Sequence, residues 1–137
     1  HLPSPLPSPL PYPLPYSPQH GVSAALASLS AGGDENRDAM EANYVDLAEA
    51  LRGRGLRVFG CDGGYFLVAD ASPLHMTAMQ YLNQMVNECG VACAPMSVFY
   101  ASADGGGQEA EGLLRFALCK SRAFIADACG RLRRNSW

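Results

Sequence analysis

Eight of the ten prolines of this 137-residue chain fall within its first eighteen positions, at every second residue from Pro3 to Pro15 and again at Pro18. Each proline removes a backbone donor and fixes φ, so the stretch is excluded from helix and central strand. A disordered, extended, polyproline-like tail is expected over residues 1–18. Residues 19–137 are then left to fold, enough for one domain of ordinary size. Within the tail, Pro15-Tyr16-Ser17-Pro18 has the PxxP form that SH3 or WW grooves take up. Such matches are frequent by chance in proline-rich text, and a disordered tail without a recognition role is the stronger reading. The first residue is His1 rather than Met, as expected of a processed product or of a piece of something longer.

The net charge is -3, which argues against nucleic acid as a partner, since that partner selects a basic face. Nine of the ten basic residues are arginines and Lys120 is the single lysine. Arg131, Arg133 and Arg134 cluster where cations suit the C-terminal end of a last helix. No apolar run approaches the roughly 20 residues that a membrane span needs. The five cysteines (Cys61, Cys89, Cys93, Cys119 and Cys129) form no CxxC pair, so a zinc site is not expected. They read as small, reduced core residues of an intracellular protein, cytoplasmic or mitochondrial.

Past the tail, residues 21–29 suit a short helix, broken at Ala31-Gly32-Gly33. Asp34 can cap a longer helix with Met40, Tyr44, Leu47 and Leu51 on one face, stopped by Gly53 and Gly55. Leu56 to Phe59 is a brief strand or turn entry. The apolar run Tyr65 to Ala69 reads as a strand buried on both faces. Ser72-Pro73 suits the start of a helix with Met79, Leu82 and Val86 on its face, ended by Gly90. Val91 to Ala94 is a short strand halted at Pro95, and a loop through Gly105, Gly106 and Gly107 follows. Ser121 can cap a last helix whose face is Ile125, Ala128, Cys129 and Leu132. The sum is an α+β fold, a three-stranded sheet with helices packed mainly on one side.

The strand from Leu113 to Lys120 raises the sharpest question. Side chains alternate across a strand, so Leu114, Phe116 and Leu118 share one face while Arg115 shares the other with Leu113, Ala117 and Cys119. A guanidinium in an uncharged strand needs an anion, because burying it unpaired is costly. No acid stands within three residues of it. One reading gives it a distant Asp or Glu, or an edge strand open to water. The other gives it a ligand, since guanidinium is shaped for two-pronged contact with a carboxylate.

Four segments resemble one family in order and at its spacing: Arg54-Gly55-Leu56, Gly63 to Asp70, Gly90 to Tyr100, and Leu114 to Lys120. From about Gln19 to Leu132 the chain is similar to the C-terminal, small domain of class I/II, fold-type I aminotransferases. The kynurenine aminotransferase group, also called glutamine transaminase K or cysteine-S-conjugate β-lyase, resembles it most. The resemblance implies a parent enzyme that moves the amino group of an L-amino acid such as kynurenine or glutamine to a 2-oxo acid. It implies pyridoxal 5'-phosphate as cofactor and a homodimer as assembly. It makes Arg115 the residue that binds the substrate α-carboxylate. The cofactor's Schiff-base lysine has no counterpart here, since Lys120 follows the arginine strand where the family has none, so this chain by itself is expected to be inactive.

The remaining polar and aromatic positions read as structural. Phe99 and Tyr100 are expected to pack, with lining of the substrate pocket as the alternative. Tyr44 is a core residue, His75 a surface histidine, and Cys61, Cys89 and Cys93 inert thiols. Two other functional readings stand beside transamination. The chain can be a non-catalytic interaction module that uses its proline tail, or the parent can be a β-lyase or a methionine-type aminotransferase.

Overall fold

A computed structural model describes residues 16–32, 34–100 and 110–134. Most of the proline tail, including Pro15 of the PxxP match, and the loop through Gly105 to Gly107 lie outside these residues. Helix α1 (Tyr16–Gly32) starts earlier than its sequence suggests and takes in Tyr16, Ser17 and Pro18 from the expected tail. A proline is tolerated in a first helical turn, where its missing N–H would have no partner in any case.

The other described residues build one sheet and three further helices. Helix α2 (Asp34–Gly53) buries Leu47 and Leu51 and half-buries Met40 and Tyr44, the face expected from their spacing. It ends in a Schellman turn: Gly55 N–H donates to Arg52 C=O (2.9 Å) and Leu56 N–H to Leu51 C=O (3.2 Å). That turn sets Gly55 at φ 85°, which a side chain rarely adopts.

Four strands follow, not three: β1 (Arg57–Val58), β2 (Phe66–Asp70), β3 (Ala94–Pro95) and β4 (Leu113–Ala117). They pair antiparallel throughout in the order β1-β2-β4-β3, so β4 is internal. The expected burial of the Tyr65 to Ala69 run on both faces does not hold. Leu67 and Ala69 are buried, while Phe66 is exposed and Val68 half-buried. Both faces are covered when crossover helices flank parallel strands; an antiparallel sheet can leave one face open.

Helix α3 (Ala78–Cys89) departs further from its expected form. Ser72-Pro73-Leu74 is a short 3-10 turn, and the helix starts later, at a capping box. The Thr77 hydroxyl accepts from Gln80 N–H at 3.2 Å, and Gln80 Oε1 accepts from Thr77 N–H at 2.9 Å. Its buried residues are Ala78, Tyr81, Met85 and Cys89; Met79 and Val86 are exposed. Two apolar stripes one residue apart run along this helix, and the sheet takes the one that carries the tyrosine. Gly90 closes it at φ 63°.

Helix α4 (Arg122–Arg134) buries Ile125, Cys129 and Leu132, and the Ser121 hydroxyl accepts from Phe124 N–H at 3.3 Å. Side chains of α2, α3 and α4 share one cluster with Leu67, Ala69, Leu114, Phe116 and Leu118. The helices therefore cover one face of the sheet. Of the cysteines read as core residues, Cys89 and Cys129 are buried, whereas Cys61 and Cys93 are half-buried and Cys119 is exposed. Cys119 lies just past the end of β4, in step with Arg115 and Ala117 and so on the face turned away from the core.

Candidate functional site

Arg115 is the middle residue of β4, with Val68 opposite it on β2 and Ala94 opposite on β3. It projects from the face opposite the one that α2, α3 and α4 cover. Leu114 and Phe116 on either side point into the core at 0% and 3% exposure, so the strand presents Arg115 between two anchors. The edge-strand reading of this arginine is therefore overturned.

Two rings hold the guanidinium. Its carbon lies 4.1 Å from the centroid of Phe66 and 4.2 Å from that of Phe99. Phe66 faces Ala117 across the ladder, which makes it a diagonal neighbour of Arg115 on the same face. Phe99 ends the 3-10 turn Met96–Phe99 that follows β3. One ring thus reaches in from each side of β4. Tyr65 lies against Phe66 with centroids 4.8 Å apart and planes at 58°.

Arg115 has no acidic partner among the described residues. The ion pairs found there are Arg37–Asp38, Arg57–Asp70, Arg122–Asp46, Arg131–Asp127 and Arg133–Glu49. Among those residues no side-chain nitrogen or oxygen is sealed from water without a partner. Among the described residues the N–H edge of Arg115 is accessible and unpaired. The groove lined by Glu49, Arg52 and Arg54 and the one lined by Gly90, Phe116 and Phe124 both lie apart from it.

Two polar clusters hold the ends of the strand that carries it. Asn43, 1% exposed on α2, donates to Leu118 C=O and to Lys120 C=O, both at 2.9 Å. Its own oxygen accepts from Arg122 Nη1 at 2.9 Å, and Arg122 Nη2 reaches Asp46 at 2.6 Å. At the other end Asp70 accepts from Arg57 Nη2 (2.6 Å) and from Ser72 N–H (2.8 Å). Burial alone would raise the Asp70 pKa, but the bonds from Ser72 and Arg57 outweigh it and hold the carboxyl below its ordinary 3.8. Gly112 leads into β4 beside this carboxylate. A Cβ there would collide with Ser72 Oγ and lie 2.6 Å from Asp70 Oδ1.

The other residues singled out from sequence fall apart from this site. His75 is exposed, with φ 56°. Burial pushes the Cys93 thiol up to about 12. Phe99, expected to pack, is 53% exposed and spends one face on the guanidinium, and Tyr100 beside it is also exposed. Phe66 and Asn43 were missed. Asn43 did leave a signal, a polar residue between Met40 and Leu47 on an apolar helix face.

The residues present do not fit the cofactor that the resemblance implies. The single lysine, Lys120, is exposed beyond the end of β4. No step can be derived through that group from this chain.

The profile of class I and II aminotransferases matches residues 12–132. No curated protein matches the chain. Among solved structures, N-succinyldiaminopimelate aminotransferase from Mycobacterium tuberculosis is 32% identical, with a TM-score of 0.69 over 83% of this chain. YbdL from Escherichia coli, for which a methionine aminotransferase function is described, is 27% identical, with a TM-score of 0.62 over 81% of this chain. This chain covers 29% of each of those proteins.

Proposed function

The chain belongs to the class I and II aminotransferases, and from that premise we propose that Arg115 binds the α-carboxylate of an amino-acid substrate. Members of the family depend on pyridoxal 5'-phosphate, which supplies the electron sink for exchanging an amino group between an amino acid and a 2-oxo acid. In this reading the parent protein carries out that exchange on an L-amino acid such as kynurenine or glutamine. It works as a homodimer in a reducing, intracellular compartment, in keeping with free cysteines at five positions. This chain supplies the carboxylate anchor.

One observation carries the reading. A central strand holds a guanidinium on its open face, ringed by aromatic side chains, with no acid paired to it among the described residues. Arginine offers parallel N–H donors that match both oxygens of a carboxylate. A two-pronged contact fixes direction as well as distance, so the α-carbon of the substrate is presented in one orientation.

The test is made in the longest natural form of the protein that binds the cofactor. Arg115→Ala should lower kcat/KM for the L-amino acid by between about tenfold and a hundredfold, the worth of charge-assisted hydrogen bonds. Arg115→Lys should recover only part of this, since it offers no fork. Unchanged kcat/KM in both variants would remove Arg115 from the site.

A further inference from the structure

We propose that Phe66 and Phe99 are positioning residues, a two-ring clamp that holds the Arg115 guanidinium with its N–H edge turned outward for a carboxylate. The proposal rests on the carboxylate reading of Arg115 and adds what sets its aim and substrate approach. An arginine side chain on an open sheet face has many rotamers, and most would splay the guanidinium into water or toward a stray acid. Here the planar head meets rings at 4.1 and 4.2 Å, delivered from β2 on one side and from the turn after β3 on the other. Stacked from both sides, the rings would occupy the two π faces. They leave the in-plane donors as the open approach, so an incoming carboxylate must enter in the guanidinium plane, between the rings.

The clamp acts in two ways. Each ring attracts the cation through its quadrupole. Each also keeps water off a guanidinium face while the donor edge stays wet, so a carboxylate is met by donors already aimed and partly desolvated. Exposure supports a role outside the core: Phe99 is 53% exposed and Phe66 36%, too much for residues that serve burial alone. Tyr65 backs Phe66 at 4.8 Å. The group next to the carboxylate would lie against the ring edges, which favours apolar or aromatic substituents over a second charge.

The experiment uses the full chain and reads the Arg115 Nε–H resonance by NMR during titration with 3-phenylpropionate. In the unaltered chain the resonance should sit upfield, shifted by the two ring currents, and should move on addition of the carboxylate. Phe99→Leu keeps apolar bulk but removes the ring. It should lose much of the upfield shift and weaken the apparent Kd by about 3- to 30-fold, the range of one cation–π contact. Phe99→Tyr should keep both, and Phe66→Leu should repeat the effect of Phe99→Leu. Leucine variants that hold the resonance position and the Kd would overturn the clamp. A resonance that sits upfield but never moves with carboxylate would instead sink the carboxylate reading, and the clamp's purpose with it.

Discussion

The two faces of strands β2 and β4 are built from alternate residues of the same segments, yet they do opposite work. On the helix-covered face Leu67, Ala69, Leu114 and Phe116 are 0–3% exposed and belong to the core. On the opposite face Phe66, Val68, Arg115 and Ala117 remain partly accessible, and the one charge of β4 sits among them. A period of two separates stability from chemistry at single-residue resolution. Neighbours in sequence should therefore respond in opposite ways to substitution.

The widest contrast is between Leu114 and Arg115. Leu114→Ala should cost about 2–5 kcal/mol, the range for a buried leucine, enough to unfold much of a small domain by urea titration followed by circular dichroism. Next comes Asn43→Ala, which removes one donor from the carbonyls of Leu118 and Lys120 and one acceptor from Arg122; a loss of about 1–3 kcal/mol is expected. If that variant unfolded at the parental urea midpoint, the tie between α2 and the end of β4 would be idle. Gly112→Ala should lose a similar ~1–3 kcal/mol, because the methyl group has nowhere to go between Ser72 and Asp70.

Asp70 links the contrast to pH. Its folded pKa is lowered, so its contribution is present above the ordinary value of 3.8 and is lost as pH falls through the folded value. Urea midpoints taken between about pH 5 and pH 2 should fall more steeply for the parent than for Asp70→Asn. Parallel slopes would show that the Arg57 and Ser72 bonds do not hold the carboxylate down. The smallest effect belongs to Arg115→Leu, which should move stability by less than about 1 kcal/mol while ending the response to carboxylate. A large loss of stability there would mean that the open face is core after all.

Much of the scaffold was readable from residue order. The α2 face, the Gly55 and Gly90 stops, the Ser121 cap and the alternation of β4 each follow from local chemistry, and each is present. The misreadings share a cause. Met79-Leu82-Val86 and Ala78-Tyr81-Met85 are both helical stripes, and only the sheet beneath chooses between them. Ser72-Pro73 is a plausible helix start, yet Thr77 and Gln80 reach each other and win. By residue order Phe66 is one more residue of a buried strand and Phe99 a packing residue. Neither is near Arg115 in sequence, and only strand register brings them to it.

Sequence alone determined where α2 and α3 stop, where the last helix is capped and which residues alternate across β4, because periodicity, caps and glycines act within a few residues. It also determined the family resemblance and singled out Arg115 as a charge in search of an anion. Tertiary structure decided that β4 lies inside the sheet, that one face stays open, and that two phenylalanines from different segments flank the guanidinium. These are long-range facts. They depend on antiparallel register across segments dozens of residues apart, which no local propensity encodes.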